Sequence, residues 1–244
     1  MIAVILAGGY AKRLWPLSID KPKALLPVAG KPIIDYILPK IRKVMPPVSK
    51  IVVLTNLRFQ PMFEDWLQKT QYDCVTLVPD KTRSEAEKIG AIGALSNMIS
   101  GEPAEEFLIL AGDSLFSDEL SEFVRFFKER NAPVVALYRA RNLAEAKRGA
   151  VVSLGINNRM VDCVEKPERP KTSLIGACLY AFPSGIGRRI QEYISLGFSR
   201  DQPGKFIAWL CRVEPVYGFK LNSPFLDIGT LDSYREAESI VRGN

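Results

Sequence analysis

Residues 1–30 read MIAVILAGGYAKRLWPLSIDKPKALLPVAG, and the fold can be read outward from them. Ile2 to Leu6 is an apolar run of strand length, too short to span a membrane. Ala7, Gly8 and Gly9 follow at once, so the backbone can turn sharply there and come close to a ligand. Arg13 and Lys23 lie on the long connection beyond, which Pro16, Pro22 and Pro27 stiffen. A strand, a glycine turn and two cations are what a site for phosphate oxygens requires. Backbone N–H groups surround the oxygens, while guanidinium and ammonium groups offset their charge. A glycine turn leading into an ordinary charged surface loop is the plainer reading of the same residues.

Two glycine motifs are excluded. Gly8-Gly9-Tyr10-Ala11-Lys12-Arg13 lacks the G-x-G-x-x-G spacing of a dinucleotide fingerprint, and no Gly-Lys-Ser/Thr ending marks an ATP/GTP P-loop. The absence of histidine removes Ser-His-Asp and Cys-His nucleophilic schemes and every histidine metal site. Chemistry here runs on Asp, Glu, Lys, Arg and a metal.

The length of 244 residues suits one α/β domain, or one with a small elaboration. With 47% hydrophobic and 25% charged residues, the chain can bury a sizeable core. A net charge of +6 fits an anionic substrate and equally a basic solvated surface. No Lys/Arg run interleaves with aromatics, so no nucleic-acid partner is expected. Met1 leads straight into the first strand and no apolar run has membrane-spanning length, so the expectation is a cytoplasmic protein with no leader and no membrane partner. Cys74, Cys163, Cys178 and Cys211 stand singly, without C-x-x-C spacing, and read as small buried residues in a reducing compartment.

Beyond residue 30, helical periodicity runs from Pro32 to Met45 and stops at Pro46-Pro47. Strands are expected at Ile51–Leu54, Val75–Val78, Phe107–Ala111 and Val134–Tyr138, with helices at Phe59–Leu67 and Leu120–Arg130. Ser84-Glu85-Ala86-Glu87 has the capping-box pattern and predicts one helix running through Gly90 and Gly93 to about Ile99. Two glycines early in a helix point to a backbone that something approaches closely. Strand–helix alternation argues a doubly wound, mostly parallel sheet with ligands at the strands' carboxyl ends. After Gly149 the pattern changes. Ala150–Leu154, Met160–Val164 and Leu174–Phe182 read as an antiparallel extension around a turn at Asn157-Asn158. Helices at Ile186–Leu196 and Phe206–Cys211, a strand at Val216–Leu221 and a helix at Thr230–Val241, with Thr230 as N-cap, close the chain.

LAGGYAKRL-PLS-KPKALLPV resembles the signature of the sugar-1-phosphate nucleotidyltransferases, whose catalytic domain has a Rossmann-like fold. Two positions depart from it: the third glycine is Ala11, and the usual Thr is Lys12. Further motifs follow in the family's order: Gly90-Ala91-Ile92-Gly93-Ala94-Leu95 for G-T-A-G-A-L, Gly112-Asp113, Glu165-Lys166-Pro167, and Asp227-Ile228-Gly229-Thr230 with Tyr234 and Ala237. The resemblance implies a single catalytic domain over 1–244, with a nucleotide part at 1–148, a sugar-phosphate part at 149–244 and no C-terminal β-helix.

It also implies site residues. Arg13, Lys23 and Lys166 would be catalytic. Leu6, Ala7, Gly8, Gly9, Ala11, Lys12, Arg13, Gly90 and Ala91 would bind the nucleotide. Gly149, Glu165, Lys166 and Gly176 would bind the sugar phosphate, with Mg²⁺ on Asp113 and Asp227. From its residues alone, Asp113 is a cleft carboxylate or a turn cap. Ala11 is expected to keep the loop away from positive φ, with the Lys12 charge offsetting the altered backbone. The implied substrates are a nucleoside triphosphate and a sugar 1-phosphate, with base, sugar and homo-oligomeric state left open. Two alternatives stand beside this: a binding homologue without turnover, and a cytidylyltransferase acting on a non-sugar phosphate such as phosphocholine.

Overall fold

The computed structural model describes residues 1–70, 72–102 and 104–242. In chain order its strands and helices are β1 (Ile2–Leu6), β2 (Pro27–Val28), β3 (Lys31–Pro32), α1 (Ile34–Arg42), β4 (Lys50–Asn56), α2 (Gln60–Thr70) and β5 (Val75–Asp80). Then come α3 (Ala91–Ile99), β6 (Phe107–Ala111), β7 (Ser114–Phe116), α4 (Leu120–Arg130), β8 (Val134–Arg139), α5 (Leu143–Ala146), β9 (Ala150–Leu154) and β10 (Met160–Glu165). The chain ends with β11 (Leu174–Phe182), α6 (Ile186–Ser195), α7 (Pro203–Val213), β12 (Tyr217–Lys220), β13 (Phe225–Asp227) and α8 (Leu231–Arg242).

β1 lies between β4 and β6, parallel to both, with β5 outside β4. It is covered on both faces, and its alternate residues belong to two cores. Ala3 and Ile5 pack with Ile34, Ile37 and Leu38 of α1, Phe63 of α2 and Phe123 of α4. Ile2 and Val4 pack with Ile92 and Leu95 of α3, Ile190 of α6 and Phe206 of α7. A continuous apolar run is therefore required here, since alternation would put a polar side chain into one of the cores.

The expected α/β architecture is present, and the antiparallel strands are continuous with the parallel ones. β11 pairs antiparallel with β8 at both of its ends, with β6 at its C-terminal end and with β9 near its N-terminal end, and β9–β10 continues the same nine-stranded sheet. Asn157 and Asn158 both take positive φ in the β9–β10 turn, as Asn does most readily after glycine. Two three-residue strands that were not expected, β7 and β13, pair antiparallel and set Asp227 opposite Ser114. Stacked Phe116 and Phe225 rings, 5.8 Å apart, close that ribbon. Thr230 caps α8 as expected, its Oγ1 accepting from the Ser233 N–H at 3.2 Å.

Three expectations are corrected. The capping box yields only a single 3₁₀ turn at Glu85–Glu87, and α3 begins afresh at Ala91. Gly90 between them has φ 77°, ψ 161°, where no helix can continue. Its backbone is approached closely, as two early glycines suggested, but by protein: an added Cβ would lie 2.4 Å from the Arg200 carbonyl oxygen. Cys74 is exposed, in the turn before β5, while Cys163 is buried as expected. The third correction concerns Ala11 and is described with the site. Among the described residues no helix is long and apolar enough to cross a membrane.

Candidate functional site

The glycine turn after β1 is fastened to the end of β4. The Ala7 N–H donates to the Leu54 carbonyl at 2.8 Å, and Asn56 Nδ2 donates to the Gly8 carbonyl at 2.9 Å. Gly8 rests on Thr55, whose carbonyl carbon would be 3.5 Å from an added Cβ, whereas nothing lies within 4 Å of one at Gly9. One glycine thus faces protein and the next faces open space.

Ala11 sits at φ 47°, ψ 43°, against the expectation that a Cβ would keep it from this region. Two bonds onto its carbonyl hold it there, from Ser18 Oγ at 2.8 Å and from the Leu14 N–H at 2.9 Å. The loop therefore has the turn a glycine would give, and Lys12 has no altered backbone to offset. A left-handed residue with a Cβ is disfavoured by roughly 1–2 kcal/mol, and glycine's greater freedom when unfolded cancels part of the relief. Ala11→Gly is expected to raise stability by up to about 1 kcal/mol, read as a higher urea midpoint at unchanged slope. An unchanged or lower midpoint would show that any strain at Ala11 is no larger than the entropy glycine adds to the unfolded chain.

Lys12 and Arg13 are exposed on the 3₁₀ turn that follows, anchored by the fully buried Leu14. Lys23 opens a second such turn, whose Ala24 and Leu25 are buried. Its ammonium forms an ion pair with Asp113 and lies 3.6 Å from an Asp227 oxygen. Burial works against this ammonium, but the two carboxylates outweigh it and its pKa is raised. Asp113 follows Gly112, whose N–H donates to the Leu6 carbonyl at 2.9 Å and so places the carboxylate beside the end of β1. The Asp227 carboxyl is pushed up by desolvation and by the Asp113 charge, while Lys23 and Arg13 pull it down. Its side chain keeps 57% of its exposure, so water offsets part of that desolvation. Arg13 lies near Asp227 as well: a Cβ on Gly229 would be 3.3 Å from its guanidinium and 3.4 Å from Asp227 Oδ2.

β10 ends at Glu165, and Lys166 follows it with φ 50°. The Lys166 N–H donates to the Gly149 carbonyl at 2.9 Å, and its ammonium is 3.7 Å from Glu165 Oε1. Burial pushes the Glu165 carboxyl up, with Lys166 and Lys205 opposing. A Cβ at Gly149 would meet Ile175 Cγ2 at 2.3 Å, so that glycine is required by packing. Gly176 lies within β11, paired with Leu137 and Ala150. Gly90 and Ala91 start α3, where the Ile92 N–H donates to the Arg200 carbonyl at 2.8 Å.

The structure thus brings Arg13, Lys23, Asp113 and Asp227 into one group, and Gly149, Glu165 and Lys166 into a second. Among the described residues no ion pair or side-chain hydrogen bond joins the two groups, and none holds three or more acidic or cysteine side chains placed for a metal. Asn56, a polar residue ending the apolar β4 run, was missed from sequence, while Ser18 and Gly229 lie within the two family-like motifs but had no role assigned. A cavity of about 710 Å³ opens elsewhere, between residues 16–21 and helices α1 and α2, and contains none of the expected site residues.

Residues 2–243 match the family model described as nucleotidyl transferase. Bifunctional protein GlmU of Methanocaldococcus jannaschii is 29% identical over 229 residues, which cover 94% of this chain and 51% of GlmU. UTP–glucose-1-phosphate uridylyltransferase AglF of Haloferax volcanii is 27% identical over 186 residues, covering 76% of this chain and 73% of AglF. The chain spans about half the length of the GlmU proteins it matches. The solved structure of UDP-glucose pyrophosphorylase complexed with UDP-glucose superposes with a TM-score of 0.84, at 18% identity over 99% of this chain and 98% of that one, and so has the same fold. Matched by the family model over nearly its whole length, the chain belongs to the nucleotidyl transferase family.

Proposed function

We propose that the chain transfers a nucleotidyl group from a nucleoside triphosphate to a sugar 1-phosphate, giving a nucleotide sugar and pyrophosphate. The observation that carries this reading is the meeting of Lys23, Asp113, Asp227 and Arg13 beside the glycine turn, at the carboxyl ends of β1 and β6. Ligands of open α/β sheets bind at that edge. The left-handed turn at Ala11 supports an intact phosphate loop and weakens the case for a binding homologue without turnover.

In the reaction an oxygen of the sugar phosphate forms a bond to the α-phosphorus, and the bond to the β-phosphate oxygen breaks. Pyrophosphate leaves with the electron pair. The attacking oxygen is an anion at neutral pH, so no general base is needed, in keeping with a site without histidine. Positioning and charge stabilisation remain to be supplied. Gly8, Gly9 and Ala11, with the Lys12 and Arg13 side chains, would hold the leaving phosphates where the chain leaves Leu6 and Ala7. Lys23 would turn from the carboxylates to the α-phosphate. Gly90 and Ala91 would lie against the base. Lys166 would hold the sugar phosphate and Glu165 a sugar hydroxyl, with Gly149 and Gly176 in the wall behind.

Asp113 and Asp227 fit a magnesium ion. Two hard carboxylates from different strands, already sharing one cation in Lys23, leave the remaining coordination to phosphate oxygens and water, as Mg²⁺ prefers. When bound there it would neutralise charge on the phosphate oxygens.

A matrix of nucleoside triphosphates against sugar 1-phosphates, read by pyrophosphate release, tests the reading. UTP with glucose 1-phosphate is the first pair to measure, since AglF is named for it. Release with no sugar 1-phosphate, but with phosphocholine and CTP, would move the chain to a different acceptor class. Lys166→Met is expected to raise KM for the sugar 1-phosphate by roughly tenfold or more, as loss of one charge-assisted contact implies, and to leave triphosphate affinity intact. Calorimetry with the triphosphate alone checks the second half; a matching loss there puts Lys166 in the other subsite.

A further inference from the structure

We propose that Gly204 positions the Glu165 carboxylate, and that the missing side chain at 204 is what leaves this carboxylate where it can read a hydroxyl of the sugar phosphate. The inference rests on the proposed role of Glu165 as a sugar contact.

Gly204 is the second residue of α7, after Pro203, and its φ is not positive. Backbone conformation therefore does not require glycine there, and helix propensity favours alanine over it. Space is the reason for it. A Cβ at 204 would stand 2.0 Å from Glu165 Oε2 and 2.8 Å from its Cδ, with Ala150 Cβ at 3.2 Å closing the other side. The Glu165 carboxylate thus lies against the bare Cα in the first turn of α7, where the partial positive charge of a helix N-terminus favours an anion. Only 14% of its side chain is exposed, and Lys166 Nζ is 3.7 Å from its other oxygen. Bare helix backbone on one side and the Lys166 ammonium near the other oxygen thus flank the carboxylate.

The atom an alanine would strike is the end of a flexible side chain. Gly204→Ala therefore pushes the carboxylate aside and spares the backbone, while α7 gains helix propensity. A merely structural glycine would behave the opposite way, losing stability on substitution.

The test is steady-state kinetics and urea melts of wild type, Gly204→Ala, Glu165→Gln and the double variant, with the substrates chosen by the matrix above. Gly204→Ala is expected to raise KM for the sugar 1-phosphate roughly tenfold while kcat stays within about threefold, the sign of lost uniform binding. Triphosphate affinity by calorimetry stays unchanged and the urea midpoint does not fall. The double variant is no worse than Glu165→Gln alone, because both changes remove the same contact. If Glu165→Gln raises the sugar KM and Gly204→Ala does not, the positioning role is wrong and the sugar contact stands. If Glu165→Gln itself leaves the sugar KM unchanged, the sugar contact fails and the positioning role fails with it. A fallen midpoint with equal losses for both substrates makes Gly204 a packing residue only.

Discussion

Asp113→Asn is expected to lower kcat by roughly two orders of magnitude or more, the several kcal/mol that a metal supplies to phosphoryl charge at 1.36 kcal/mol per tenfold. The amide keeps the shape of the side chain and loses the charge that Lys23 and a metal would share. Lys23 would keep Asp227, 3.6 Å away, as its remaining carboxylate. Two effects on folding oppose each other: an ion pair is lost, and the repulsion that raises the Asp227 pKa is relieved. Asp113 keeps 27% and Lys23 only 14% of side-chain exposure, so the pair is only partly screened, and with Asp227 left to face the ammonium stability should fall by roughly 1–3 kcal/mol. Pyrophosphate release measures the first effect and a urea melt the second. Turnover near that of the wild type would remove Asp113 from the metal site, and the same experiment on Asp227→Asn tests its partner.

The parts of this chain that could be read from sequence are those set by local pattern. β1 ends where the apolar run ends, because both faces of that strand are buried and Ala7 begins the turn. α4 covers its expected residues because Phe123, Val124 and Phe127 recur at helical spacing against one core. What escaped is non-local. β7 and β13 have three residues each, too few for periodicity, and gain their hydrogen bonds only from each other, across more than a hundred residues. Yet that ribbon is what brings Asp227 to Asp113. β11 reads as an apolar strand in any sheet, and its place between β6 and β8 depends on pairings its own sequence does not encode. Ala11 shows the reverse failure. Its propensity argued against the left-handed turn, and two hydrogen bonds to its carbonyl overrode that preference. Gly149 and Gly90 were read as places for a ligand, and the Cβ directions at both are filled by protein, Ile175 at one and Arg200 at the other.

Gly90→Ala is expected to be the most damaging single methyl group in the chain's nucleotide half, and Gly93→Ala, three residues on, to be harmless. Gly90 has φ 77°, ψ 161°, a region held almost only by glycine, where another residue costs of order 1–3 kcal/mol. Its Cβ would lie 2.4 Å from the Arg200 oxygen, 2.5 Å from that carbonyl carbon and 2.8 Å from the Asp201 nitrogen. All three atoms are backbone, so relief requires the α6–α7 connection to move. That movement would take the Arg200 carbonyl from the Ile92 N–H and disturb the Lys88–Asp201 ion pair, now 2.9 Å. Overpacking of this kind costs a further 1–3 kcal/mol, for a total of roughly 2–6 kcal/mol against a domain stability of about 5–15. Gly93 lies inside α3, and its Cβ would be 3.4 Å from the Ile89 side chain, an ordinary contact. Alanine there should be neutral or stabilise by up to about 1 kcal/mol through helix propensity. Urea melts of the two variants decide the matter. Equal midpoints would mean that the α3 entry is not held by Arg200, and calorimetry with the triphosphate tests separately whether Gly90 lies against the base.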